Sequence, residues 1–251
     1  MTTAPLYLLH TQPDPRLLTT WMVRNRTSDP GEALHGLLRA AFGTQAPQPF
    51  RYLDERRGLL AYTTLDAPAM AEQVALADPL AAQALGLAAC SNHDGYRLRS
   101  FPTLWPQGKE LGFEVRVRPT VRSGQKEQDA FLHAVTLAGG PQGAPVDRQA
   151  VYTQWLREHL AGHEGVPRQP WQGAVQLLDV QLSAFARSRV MRRTQPAGDN
   201  TRKGRAIEGP DAILTGRLRV TDPAAFAHLL ARGVGRHRAY GFGMLLLQRA
   251  G

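Results

Sequence analysis

The segment Gly233–Val234–Gly235–Arg236–His237–Arg238–Ala239–Tyr240–Gly241–Phe242–Gly243 closes the last predicted helix of the chain and runs into its last predicted strand. Ahead of it, the run from Thr221 to Gly233 has helical periodicity. Thr221 is placed to serve as N-cap, Pro223 lies in the first turn and Gly233 acts as the stop. Behind it, Phe242 to Gln248 reads as a short buried strand. Glycine pairs at both ends let a backbone approach an anion closely, and successive N–H groups can then point at one phosphate. Arg236, His237 and Arg238 between them add positive charge. The simpler reading is a helix cap followed by a tight turn. Two familiar phosphate loops are excluded. A dinucleotide fingerprint follows a strand and opens a helix, the reverse of the order here, and a P-loop needs a Gly-Lys-Ser/Thr that is absent.

Working outward, Asp211 to Val220 and the longer Gly173 to Arg193 read as strands. Asp147 to Leu160 and Lys126 to Val135 read as helices, split by a glycine-rich loop. In Leu111 to Arg122, Phe113, Val115 and Val117 alternate with Glu114, Arg116 and Arg118, which predicts a half-buried strand with a basic open face. The proline-bearing stretch around Pro102 to Leu111 reads as a linker. Before it lie a strand at Ala4–His10, a helix over Gly31–Gly43 starting at Ser28–Asp29–Pro30, and two strands turning at Arg56–Arg57–Gly58. A helix near Pro68–Ala77 and a strand near Tyr96–Phe101 follow. Each half therefore follows a βαββαβ order. The expected fold is α+β, two tandem ferredoxin-like (RRM-like) domains spanning 1–102 and 108–251. The second carries a helical insertion and the glycine-rich loop.

Composition narrows the partner. Thirty Lys and Arg against 21 Asp and Glu leave a net charge of +9, which favours a polyanion, nucleic acid before an anionic membrane. Cys90 is the single cysteine, so no intramolecular disulfide and no all-cysteine zinc site can form. No run reaches the roughly 18 apolar residues of a membrane span, and no signal-peptide pattern is visible at the N-terminus. The expectation is a cytoplasmic protein without a membrane partner. The histidines form no HExxH pair. His159 and His163 have the spacing for a metal, but Gly162 ends the helix between them. Neither a metal nor a small-molecule cofactor is expected, and no G-x-S-x-G elbow is present.

The Gly233–Leu247 segment resembles the glycine-rich loop of the CRISPR-associated repeat-processing endoribonucleases, especially the CasE-type enzymes of type I-E systems. Leu111–Pro119 resembles the strand opening their second half, Ala33–Gly43 their first helix, and Val151–Leu160 a helix of their second half. The resemblance implies metal-independent cleavage of a CRISPR repeat RNA hairpin. The 2′-hydroxyl attacks the adjacent phosphate and leaves a 2′,3′-cyclic phosphate and a 5′-hydroxyl. Such a reaction calls for a base, an acid and positive charge on the phosphorane.

By this resemblance His35 matches the family's histidine. Arg39, one helical turn on, shares its face, and Arg24 is the third catalytic candidate. A departure stands at Glu32, where relatives often have tyrosine; Tyr240 and His237 are the candidates to replace that function. RNA-binding candidates are Arg26, Arg116 and Arg118, the glycine loop (Gly233, Gly235, Arg236, His237, Arg238, Gly241, Gly243), and a basic hairpin. The hairpin holds Arg187, Arg189, Arg192, Arg193, Arg202, Lys203 and Arg205 around a glycine-bearing tip. In the loop Arg238 takes the place of a family lysine. Expected partners are the repeat hairpin and other subunits of a class 1 effector complex. Two rivals stand beside this reading. One is a hairpin-binding subunit of a type I or type IV complex with little or no cleavage, favoured by Glu32. The other is a basic α/β enzyme holding a phosphorylated small molecule.

Overall fold

The computed structural model describes residues 5–89, 95–102, 104–123, 126–162, 168–193 and 204–249. The chain forms β1 (Leu6–Thr11), α1 (Pro15–Arg24), α2 (Pro30–Phe42), β2 (Phe50–Asp54), β3 (Gly58–Thr63), α3 (Ala67–Leu76), α4 (Pro79–Ala84) and β4 (Arg97–Phe101). It continues through β5 (Glu110–Val117), β6 (Thr120–Ser123), β7 (Lys126–Asp129), α5 (Ala130–Leu137), α6 (Arg148–Ala161), β8 (Val175–Arg193), β9 (Gly204–Val220), α7 (Pro223–Arg232) and β10 (Leu245–Arg249).

Aspartates start the helices. Asp14, Asp29, Asp78 and Asp222 each stand before a proline, and each carboxylate accepts N–H groups of the first turn. The proline supplies a preset φ where its missing N–H costs nothing. Two of these pairs open α1 and α4, neither of which the sequence reading anticipated. At α7 the cap is Asp222 rather than Thr221, whose hydroxyl donates instead to the Gly173 carbonyl at 2.6 Å.

The strands form two antiparallel four-stranded sheets, ordered β2-β3-β1-β4 and β10-β5-β9-β8. Within each half the first strand lies between the third and fourth, and the second lies outside the third. This is the ferredoxin-like order, present twice, so the fold is α+β as expected. Alternation along β1 and β3 divides the interior. Leu9, Leu59 and Ala61 pack under α2 and α4, whereas Leu6, Leu8 and Tyr62 point the other way into the core of the second half. The Tyr62 hydroxyl donates to the Leu245 carbonyl at 3.0 Å, tying β3 to β10. Phe101, Trp105 and Phe226 continue the junction through one tilted and one edge-on ring contact.

The insertion lies between β5 and β8. Its first part differs from expectation. Lys126 to Asp129 is a strand paired with β6, and the helix begins at Ala130, where Asp129 accepts the Phe131 N–H at 2.8 Å. A polar tetrapeptide paired to a neighbour has no apolar helical face to bury.

The basic open face of β5 is also corrected. The Arg116 guanidinium makes a two-point pair with Asp211, Nε to Oδ1 at 2.7 Å and Nη2 to Oδ2 at 2.5 Å. Arg118 is only 1% exposed. It lies just past the end of β5, where the base of the β8–β9 hairpin folds over it. It donates to the carbonyls of Ser188 and Ile207 at 3.2 and 3.3 Å. Gly209 leaves room for it, since a Cβ there would lie 2.5 Å from Arg118 Nη2.

Arg118 is therefore a structural residue. Arg118→Ala strips the Ser188 and Ile207 carbonyls of a donor and is expected to cost about 2–3 kcal/mol in chemical denaturation. Arg118→Lys is expected to recover only part, because a compact ammonium cannot span both strands as the planar fork does. A neutral Arg118→Ala would show that the guanidinium does not hold the hairpin base.

Candidate active site

The loop after α7 is closed at its neck. The Val234 N–H donates to the Gly243 carbonyl at 2.8 Å, and the Gly243 N–H to the Arg116 carbonyl at 2.7 Å. A Cβ on Gly243 would sit 2.2 Å from the Val234 carbonyl oxygen, so the neck admits only glycine. Within the loop, His237 adopts a left-handed conformation (φ 60°) and Arg238–Tyr240 makes one tight turn. The insertion grips this loop from one side. The Gly235 N–H donates to His159 Nε2 at 3.1 Å, and the His159 ring stacks on Trp155 at 5.4 Å between centroids. The first half grips it from the other, where a Cβ on Gly31 of α2 would lie 2.5 Å from the Tyr240 carbonyl oxygen.

The loop's charges are unequally available. Arg238 is half-buried and donates to the Arg232 carbonyl at 2.7 Å. The Arg232 guanidinium lies 3.4 Å over the Trp171 ring, and burial together with the Arg238 charge pushes its pKa down to about 10. Arg236 is half-exposed, 3.9 Å from Glu127. Glu127 also faces His237 Nε2 at 3.4 Å and accepts the Thr120 hydroxyl at 2.6 Å. The hydrogen bond from His237, followed by that from Thr120, holds its carboxyl down at about 2 against the opposing effect of burial. With Arg122, these groups line a basic recess of about 460 Å³.

A second recess, of about 420 Å³, lies between α1, α2 and the loop. His35 and Arg39 of α2, Trp21 of α1 and Tyr240 of the loop line it. The Tyr240 and His35 rings are 5.6 Å apart and inclined at 58°. Burial, and then the Arg39 charge, pull the His35 pKa below its ordinary value, with Glu32 opposing. The imidazole is thus biased toward its neutral, proton-accepting form. Glu32 accepts the Thr27 hydroxyl at 2.5 Å. A base, a phenol and a guanidinium on one recess form a set able to move protons around a phosphodiester.

A family model described as CRISPR associated protein matches residues 6–249. The chain belongs to this CRISPR-associated family. None of the curated proteins matches it. Solved structures with the same fold include a CRISPR endoribonuclease Cse3 bound to a 19-nucleotide RNA, at 20% identity and TM-score 0.59, covering 97% of this chain and 99% of that one. Cse3 of Thermus thermophilus bound to an RNA representing a pre-cleavage complex matches at 16% identity and TM-score 0.56, covering 97% and 98%. A chain of a CRISPR RNA-guided surveillance complex matches at 18% identity and TM-score 0.54, covering 97% and 100%.

In this CRISPR-associated protein, His35 and Arg39 are brought together, while Arg24 and Arg26 are exposed and stand outside the walls of the His35 recess. Arg187 and Arg189 lie exposed on β8, with Arg187 3.3 Å from Glu208. Arg192 pairs in register with Arg205 and Arg193 with Gly204. Arg202 and Lys203 lie outside the described residues, as do Cys90 and His163. Among the described residues no group of three or more His, Cys, Asp or Glu can hold a metal, and no helix is long and apolar enough to cross a membrane. Trp21 and Arg122 were not anticipated: Trp21 sits on the unforeseen α1, and Arg122 on a short strand that meets the loop only through the fold.

The His35 environment has a measurable signature. By NMR titration His35 is expected to titrate below 6.5, the ordinary histidine value. Arg39→Gln should move it up and Glu32→Gln further down, because each removes one charge of known sign. The unfolded chain binds the proton more readily than the folded one. The stability held by neutral His35 is therefore complete above about pH 6.5 and is lost as pH falls from there toward the folded pKa. Movement of the two variants in the opposite order would overturn this electrostatic account.

Proposed function

We propose that this protein is an endoribonuclease that cuts the hairpin of a CRISPR repeat RNA by attack of a 2′-hydroxyl on the adjacent phosphate, with no metal. The observation that carries this is the recess in which His35, Arg39 and Tyr240 converge. His35, biased toward its neutral form, takes the 2′-hydroxyl proton. Arg39 balances charge on the phosphorane. The Tyr240 phenol is the nearby group able to donate to the departing 5′-oxygen, the function that Glu32 cannot supply as a carboxylate. The products are a 2′,3′-cyclic phosphate and a 5′-hydroxyl.

Residues 1–102 would then contribute the catalytic histidine, and residues 108–251 the hairpin and the glycine loop. The exposed arginines of β8 and the Arg122–Arg236 recess would track phosphates of the stem, giving affinity that falls steeply with salt. Arg24 and Arg26 would meet RNA outside the recess. Many such contacts slow release, so the cut RNA stays bound and the protein serves as a subunit of a cytoplasmic class 1 effector complex. The fold neighbours support this setting: two are Cse3 bound to RNA and one belongs to an RNA-guided surveillance complex. Glu32, on the wall of the same recess, favours a second reading: a hairpin-binding subunit of a type I or type IV complex with weak or absent cleavage.

The deciding experiment incubates the protein with repeat-hairpin RNA in EDTA, beside the same RNA carrying one 2′-deoxy at the mapped cut. The expected outcome is cleavage in EDTA that the 2′-deoxy abolishes, with His35→Ala slowing it by about 10²-fold or more and Tyr240→Phe by a comparable factor. Tight binding of an RNA that stays whole moves the protein to the second reading, and absence of binding ends both.

A further inference from the structure

A third recess adjoins the His35 site and shares Tyr240 with it, while its aromatic side chains Tyr52 and Phe185 serve neither the proton transfer nor the phosphate contacts proposed above. It measures about 450 Å³ and lies between β2, the N-terminus of α2, the base of the β8–β9 hairpin and the Tyr240–Phe242 end of the glycine loop. Tyr240 lines both this recess and the one holding His35, so the two adjoin.

Its walls are mixed: Tyr52 from β2, Phe185 and Val190 from β8, and Ile213 from β9 supply an apolar and aromatic part, beside the paired Arg116 and Asp211 and the Asp29 carboxylate. The Phe185 ring remains 39% exposed, yet it is held in place. The Arg148 guanidinium of α6 sits 3.9 Å from the Phe185 centroid and 3.8 Å from that of Phe131. Arg148 in turn donates to the Tyr152 hydroxyl at 2.9 Å and pairs with Asp129 at 3.7 Å. A fixed aromatic ring at the edge of a recess is a stacking platform.

The recess also holds a polar group in want of a partner. Arg51 lines it and is 7% exposed. One arm reaches Glu114 at 3.4 Å, but its buried Nε donor has no acceptor. A buried donor left unpaired is costly and is relieved by a ligand carrying acceptors. Arg189 at the rim adds an exposed cation. A flat occupant with π faces, acceptor atoms on its edge and an attached phosphate chain satisfies all of these features at once. A paired base is already stacked inside its duplex, so the occupant is unpaired.

We propose that this recess is a subsite for one unpaired nucleobase of the RNA, adjacent to the phosphate that lies at His35, with Phe185 as its stacking face and Arg51 beneath its polar edge. The proposal rests on the RNA-cleavage reading above and names where the nucleotide beside the cut is held.

The test uses the full-length protein and hairpin RNAs with a single 2′-deoxy at the cut, each carrying one abasic site within three nucleotides on either side. Affinity is measured for the unaltered protein, Phe185→Ala and Phe185→Trp. One abasic position is expected to weaken binding by the unaltered protein roughly tenfold, the order of one lost base–aromatic stack. Phe185→Ala should show the same loss on intact RNA and no further loss at that position, whereas Phe185→Trp should bind as the unaltered protein does. 2-Aminopurine at the sensitive position should change fluorescence on binding to the unaltered protein and not to Phe185→Ala. The subsite is overturned if no abasic position matters, if each costs Phe185→Ala as much as the unaltered protein, or if Phe185→Ala binds intact RNA normally. Failure of the unaltered protein to bind the intact hairpin would instead remove the RNA-cleavage reading itself.

Discussion

The loop after α7 is held by close backbone approaches to both halves of the molecule, and the placement of Tyr240 opposite His35 depends on them. On one side the Tyr240 carbonyl sits against Gly31, at the first turn of the helix that carries His35. On the other, the Gly243 N–H is tied to the Arg116 carbonyl of β5, and the Val234 carbonyl approaches Gly243 where no Cβ fits. These contacts set the distance between His35 and Tyr240. The glycines are thus explained by packing of the loop against its neighbours. The anion-binding property that such a loop can have falls to the side chains it presents rather than to the glycines themselves.

The arginines divide by the same logic. Arg116 is committed to Asp211, Arg118 to backbone carbonyls of the hairpin base, and Arg148 to two aromatic rings and Asp129. Arg238 holds the last turn of α7. The guanidinium is suited to these tasks because it donates in several directions from one plane. The guanidinium groups left at the recesses are accordingly few, Arg39, Arg122, Arg189 and Arg236, with Arg24, Arg26 and Arg187 exposed outside them. A net charge of +9 indicates the class of partner and says little about where it lies.

Where a signal was short-range, the sequence was legible. The β8–β9 hairpin, the turn at Arg56–Gly58 and the stop at Gly233 follow from alternation and glycine placement. The Asp-Pro pairs at 14–15 and 78–79 carried the same information for α1 and α4, but α4 is only six residues long and α1 buries just Leu18 of its ten residues. What was not legible depends on pairing between distant segments. Lys126–Asp129 is a strand only because β6 lies beside it. Arg118 is buried only because residues 188 and 207 fold over it. His35 and Arg39 were found through resemblance and shared helical face. Tyr240 was visible as a residue of the loop, whereas its distance from His35 was set by more than 200 residues of intervening fold.

The duplication gives the site a further property. Each ferredoxin-like half has its own sheet order and helices, yet neither holds both proton-transfer candidates: His35 belongs to the first and Tyr240 to the second. They meet because β1 and β3 turn alternate side chains away from their own helices and into the neighbouring core, where Leu6, Leu8 and Tyr62 pack with residues of β5 and β10. This shared interior makes the relative position of the halves a matter of side-chain packing rather than of the connecting segment. A substitution that loosened the Tyr62–Leu245 junction would therefore change the spacing of groups in a recess it does not touch. In a protein whose proposed chemistry needs an acid and a base a few ångströms apart, the core between the halves is part of the catalytic apparatus.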